Sequence, residues 1–189
     1  RQADDGCSYA MEQLLLANKV SAQDIWRKAR LMVEFNRKSA ARDALRMVSG
    51  KSLSPLDELM NNPAKFLAGR GHTMGKESPE WMTLALVKLA DNDHEVAVRQ
   101  MQGKASNTLT KEQKQWVWGV IGRQSAMKLD SDAAEHFAKA GSGSGLTDDM
   151  LAWKVRAALR AANKPQWTMV ASAIEAMSAT AQKEAAWVY

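Results

Sequence analysis

The chain has 189 residues, 46% hydrophobic and 25% charged, the balance of an ordinary folded protein and enough for one large domain or a short array of repeats. Its net charge of +5 is scattered at helical spacing with no dense basic block, which reads as a solvated helical face and permits only weak attraction to an anionic polymer. No run of about 18 apolar residues occurs, so no transmembrane helix is expected, and a lone Cys7 excludes a thiolate metal cluster within the chain.

There are 31 alanines, while runs of Val, Ile and Thr are nearly absent. Alanine is the strongest helix former and strands need β-branched or aromatic runs, so the fold class is all-α. Helices are expected near 3–18, 22–36, 38–49, 55–61, 63–69, 79–91, 93–102, 110–128, 131–140, 147–162, 165–177 and 180–189. With one or two of these merging or breaking, that is about eleven helices, mostly of 8 to 17 residues, on short loops. Their starts are marked. "SAQD" at Ser21–Asp24 and "TKEQ" at Thr110–Gln113 resemble capping boxes. Ser54, Ser78 and Asn62 each precede a proline suited to the first helical turn, and Thr147 precedes Asp148 and Asp149, which suit its positive end. Gly50, Gly69, Gly103 and the "GSGSG" run at 141–145 mark stops.

The tryptophans carry a longer order. Trp81, Trp118, Trp153 and Trp187 are spaced by 37, 35 and 34 residues. Each of the first three lies in a helix followed, after a short polar break, by a second helix. Trp26 fits the series too, with Asn36 ten residues on, as Asn163 lies ten beyond Trp153. A period in the mid-thirties with a helix hairpin per unit marks an α-solenoid. The faces agree. In 79–91 the apolar positions Trp81, Met82, Leu84–Val87 and Leu89 form a stripe wider than a one-sided helix needs. In 147–162 Leu151, Val155, Ala158 and Ala162 form one stripe, with Arg156, Arg160 and Asn163 opposite.

Chemistry-bearing constellations are few. His72, His94 and His136 are never at ligand spacing, and "DHEVA" lacks a metalloprotease helix's second histidine, so these read as single surface or partly buried histidines. "GRGHTMGKE" at 69–77 departs from a phosphate loop at both ends of the pattern and reads as a loop between helices. The acidic pairs Asp4–Asp5, Asp148–Asp149 and Asp130 with Asp132 sit at helix starts, where capping and the helix dipole account for them. No Ser-His-Asp arrangement is suggested. Tryptophan and methionine are expected mostly in the core, with Trp116 exposed because Trp118 takes the repeat position on another face. Cys7 reads either as a buried free thiol or as half of a disulfide with upstream chain.

Three stretches together resemble a known family: "GCSYAMEQLLLANKVSAQDIWRKARLMVEFNR" (Gly6–Arg37), "SPEWMTLALVKLADNDHEVAVRQM" (Ser78–Met101) and "LTDDMLAWKVRAALRAANKPQWTMVASAIEAMSATAQKEAAWVY" (Leu146–Tyr189). They are similar to the long helical region that precedes the catalytic domain in the soluble lytic murein transglycosylases of Gram-negative bacteria. The resemblance implies a right-handed α-superhelix, spanning 1–189 as one segment of a longer periplasmic chain. It implies a parent enzyme that cleaves the MurNAc–GlcNAc bond of peptidoglycan and leaves a 1,6-anhydro end. The family's catalytic Glu-Ser motif is followed by a Gly-Leu-Met-Gln stretch. The one Glu-Ser here, Glu77-Ser78, is followed by Pro79, and no Gly-Leu-Met-Gln occurs, so Glu77 is not carried over and no catalytic, cofactor or metal residue is assigned. Cys7 resembles a family cysteine that pairs upstream.

The implied partners are therefore peptidoglycan glycan strands and the parent's catalytic domain, with no nucleic acid, no cofactor and no membrane span. The opening "RQADDGC" and the closing "QKEAAWVY", a helix with no stop signal, are expected to be cuts within a longer chain. The alternative is a helical-repeat module that holds a peptide or protein without enzymatic activity.

Overall fold

The computed structural model describes residues 2–49, 52–162 and 164–184, with side chains at 2–5, 7, 8, 70 and 71 outside the description. The expectations for Gly50, Asn163, Trp187, the Cys7 thiol and the Asp4–Asp5 side chains therefore lie outside the described residues. Among those residues the chain is all-helical, with eleven α-helices and no strand. Its residues group into two compact units, 1–89 and 90–189.

The first unit holds α1 (Gln2–Leu16), α2 (Ala22–Glu34), α3 (Lys38–Arg46), α4 (Ser54–Asn61), α5 (Pro63–Ala68) and most of α6 (Ser78–Asn92). Helix α2 packs on α3, and α4 on α5. Ile25, Ala29 and Val33 form the buried stripe of α2, and Arg30 is drawn in with them because its guanidinium meets Glu80 at 2.9 Å. Helix α6 is buried from Trp81 to Ala90 without a break, as its wide apolar stripe requires.

The second unit holds α7 (His94–Gln102), α8 (Lys111–Met127), α9 (Ala133–Lys139), α10 (Asp148–Leu159) and α11 (Trp167–Ala176). Helix α8 pairs with α9, α10 pairs with α11, and α8 also packs on α10. Two glycines permit the close approach. A Cβ at Gly119 would lie 2.6 Å from Leu146 Cδ2, and one at Gly122 would lie 2.7 Å from Phe137 Cγ. Residues 181–183 form a single 3-10 turn where a helix over 180–189 is expected, and 185–189 lie outside the described residues. Ser178 explains the turn. It is held by Asp148, which accepts its backbone N–H at 2.8 Å and its hydroxyl at 2.7 Å.

Local chemistry sets the helix ends. Ser21 with Asp24 and Thr110 with Gln113 form complete capping boxes, and Asn62 and Thr147 cap α5 and α10. Two expected caps differ. Ser54 already lies inside α4, and Ser52 Oγ instead accepts the Ser54 N–H at 3.2 Å. Ser78 is helical because the 3-10 turn Gly75–Glu77 runs straight into α6, leaving no free start to cap. Among the described residues, three helices end on a left-handed residue that is not glycine. Asn18, Asn36 and Leu129 adopt left-handed φ of 54°, 56° and 62°. Each closes a Schellman turn, as in Leu129 N–H to Ala126 C=O and Asp130 N–H to Ser125 C=O.

Candidate functional site

The turn after α8 organises one polar cluster. Its left-handed Leu129 aims Asp130 back toward α7, where Oδ2 lies 3.1 Å from His94 Nε2. Oδ1 accepts the Asp132 N–H at 3.0 Å, and that bond, with His94 beside it, holds the Asp130 carboxyl below the usual range. The carbonyl that closes the turn belongs to Ser125, whose hydroxyl sits 2.8 Å from His136 Nδ1. His136 stacks on Trp118 at 5.9 Å, and Lys139 lies over the same indole. Burial lowers the His136 pKa, and the Lys139 charge adds to that against the acids Asp130, Asp132 and Glu135. A cleft of about 510 Å³ opens between His94, Arg99, Lys128 and Asp132.

Serine, histidine and aspartate are thus all present, but divided. A hydrolytic triad needs one imidazole between hydroxyl and carboxylate. Here Ser125 meets His136 while Asp130 meets His94, and Ser125 is wholly buried. The arrangement ties α7, α8 and α9 together and presents no nucleophile. Among the described residues no group of three potential ligands gathers to hold a metal ion. Glu77 also has a structural task. Its Oε2 accepts from the Ser49 hydroxyl and the Trp81 indole, each at 3.0 Å.

A second concavity, about 690 Å³, lies where α10 and α11 meet the glycine-rich loop. Its lining includes Lys154, Lys164, Gln166, Trp167, Thr168 and Ser172. Lys154 follows Leu151 by three residues and precedes Val155 and Ala158, so helical spacing carries it into the buried stripe of α10. Its side chain is only 2% exposed. The loop reaches over to meet it. Gly141, Gly143 and Gly145 all have positive φ, a path open to glycine, and the Gly141 carbonyl accepts from Lys154 Nζ at 2.6 Å. Among the described residues no carboxylate pairs with this ammonium. Burial lowers its pKa.

Among the described residues the exposed tryptophan is Trp167, 66% accessible at the first turn of α11. Trp116, expected to be exposed, is 4% accessible. Helices α7, α9 and α10 all pack on α8, so the faces of Trp116 and Trp118 are both covered. No helix among the described residues is long and apolar enough to cross a membrane.

The fold and this geometry define a chain that is all-helical over its described residues, in which the hairpins α8–α9 and α10–α11 pack on each other and a basic cleft with an exposed indole lies beside α10 and α11. No protein-family model and no curated protein matches it.

Proposed function

We propose that this chain is a non-catalytic helical-repeat scaffold of the lytic murein transglycosylase type, acting in the periplasm on peptidoglycan glycan strands. The observation that carries the reading is the packing of α8, α9, α10 and α11. Each first helix packs on its partner, and the two first helices, α8 and α10, pack on each other. In a repeat array a hairpin leaves an apolar face that the next one covers, which is this pattern. The tryptophan spacing of 35 residues between Trp118 and Trp153 falls on those same two helices. The three stretches that resemble the transglycosylase helical region supply the substrate class, the superhelical arrangement and the expectation of a catalytic domain in the parent chain. The net charge of +5 favours an anionic polymer at low ionic strength.

The role is architectural. Stacked hairpins give a stiff wall, and the hydrogen-bonded Ser125, His136, His94 and Asp130 brace it without chemistry of their own. The test is co-sedimentation of the purified chain with peptidoglycan sacculi, with soluble anhydro-muropeptides measured in the supernatant. Binding that weakens with salt, and no glycan release, is the expected result. Glycan release by the chain would overturn the scaffold role, and absence of binding at low salt would overturn the cell-wall assignment in favour of a peptide-holding repeat module.

A further inference from the structure

The cleft of about 690 Å³ beside α11 has features that the scaffold role does not use. Lys154 and Gly141 both line it and are joined by the 2.6 Å bond from Nζ to the carbonyl. An ammonium has three donors. Among the described residues one is used, and the charge has no carboxylate beside it. A buried charge left without a counter-charge costs several kcal/mol in general, so a chain retains one where something offsets it.

The rest of the lining has the same sign. Lys164 adds a second cation. Gln166, Trp167, Thr168 and Met169 are the cap and first turn of α11, a ten-residue helix whose start has no side-chain cap. The Gln166 and Met169 N–H groups donate to the Ala158 and Gln166 carbonyls, which leaves those of Trp167 and Thr168, with the positive end of the helix dipole, beside the cleft. Trp167 adds a flat apolar surface at the rim, and Thr168 and Ser172 add hydroxyls. A negative group is favoured near Lys154, and a ring is favoured on the indole.

We propose that this cleft binds a small organic oxyanion, with the anionic group held by Lys154, Lys164 and the start of α11, and the ring of the same molecule lying on Trp167. The volume suits one or two rings. The site stands on the cleft and does not require the peptidoglycan reading.

Three probes separate the possibilities: N-acetylmuramic acid, which joins a sugar ring to a carboxylate; N-acetylglucosamine, the same ring without the anion; and benzoate, a carboxylate on a flat ring. Binding is read by calorimetry and ligand-observed NMR on the full chain, its Lys154→Met variant and its Trp167→Ala variant. Lys154→Met keeps the length of the stem, Trp167 is exposed, and circular dichroism checks that both remain folded. N-acetylmuramic acid or benzoate binds the full chain, N-acetylglucosamine does not, and Lys154→Met weakens binding about tenfold or more. Binding by N-acetylmuramic acid would also support the cell-wall reading. Benzoate bound alone, with the same dependence on Lys154, would sustain the oxyanion site while giving no support to that reading. Failure of both anions to bind at millimolar concentration, or binding indifferent to Lys154→Met, overturns the proposal.

Discussion

Trp26 and Trp81 meet edge to face, their ring centres 5.5 Å apart and their planes at 82°. Two members of the tryptophan series, 55 residues apart in the chain, are thus one contact in the first unit. Trp81 is wholly buried, and its N–H is held by Glu77. Truncating it removes both the ring pair and a large volume. Trp81→Ala should destabilise the fold by about 3–5 kcal/mol. Trp81→Phe retains a ring for Trp26 but gives up the donor to Glu77, and should cost about 1–2 kcal/mol. Urea unfolding followed by circular dichroism measures both, and near-equal losses would show that ring packing is not what matters.

The contact between α8 and α9 predicts a loss from adding a single methyl group. A Cβ at Gly122 would fall 2.7 Å from Phe137 Cγ and 2.9 Å from both Cδ atoms, and Phe137 is wholly buried. Gly122→Ala gains helix propensity yet should destabilise by about 1–3 kcal/mol through overpacking. Gly69→Ala is the control. Its added Cβ would come no closer than 3.7 Å to Lys65 O, and its stability should change by less than about 0.5 kcal/mol.

Much of the helix layout was legible because it is local. Ser21, Asn62, Thr110 and Thr147 cap their helices through bonds to residues three positions on, so the signal and the structure share one short window. Long-range features were less so. Trp116 and Trp118 point to different faces, and only the packing of three helices around α8 decides that both are covered. Lys154 did leave a sign, a lysine at i+3 in the stripe of Leu151, Val155 and Ala158. What the pattern could not supply was the Gly141 carbonyl, which the loop delivers from 13 residues away. The histidine cluster has the same origin. His94 and Asp130 are 36 residues apart and meet only through the left-handed turn at Leu129.

That turn yields a stabilising substitution. Leu129 holds φ at 62° with its side chain largely exposed, so the left-handed strain of an L-residue is borne for little packing in return. Leu129→Gly should stabilise by about 0.5–1 kcal/mol, and Leu129→Val, β-branched, should destabilise by at least as much. Thermal melts of the three proteins give the order. A Gly variant less stable than the parent would mean that the Leu129 side chain outweighs the backbone strain.

Acid should unfold the second unit through two groups acting in the same direction. The Asp130 pKa is lowered by its bond from Asp132 N–H and by His94, so its contribution is present above the ordinary carboxylate range and is lost as pH falls through the lowered value. The His136 pKa is lowered by burial, so the folded state resists its protonation while the unfolded chain accepts a proton near pH 6.5. Stability therefore falls from about pH 6.5 downward, first through His136 and then through Asp130. His136→Gln, which preserves a partner for Ser125, should remove the first part of that fall. Denaturant midpoints between pH 7 and pH 4 measure it, and an unchanged profile in the variant would assign the effect elsewhere.

Lys154 gives the opposite limb of the pH profile and links stability to the proposed site. Its ammonium is buried against one carbonyl, so the charged form is penalised in the folded chain and its pKa lies below that of the unfolded chain. Between the two values the unfolded state binds more protons, and stability rises with pH until about 10.4, the ordinary lysine value. Lys154→Met removes the charge and keeps the stem in the stripe with Leu151 and Val155. At pH 7 it should stabilise the ligand-free chain by about 1–3 kcal/mol, since an uncompensated buried charge is replaced by an apolar group of similar length. The advantage should shrink as pH rises, because the parent lysine then sheds its proton and its penalty. Denaturant midpoints of the two proteins at pH 7, 8.5 and 10 provide the comparison. A constant gap would mean that the variant gains from packing alone. A narrowing gap, with oxyanion binding confined to the parent, would show that stability is given up at Lys154 for a charge the cleft uses.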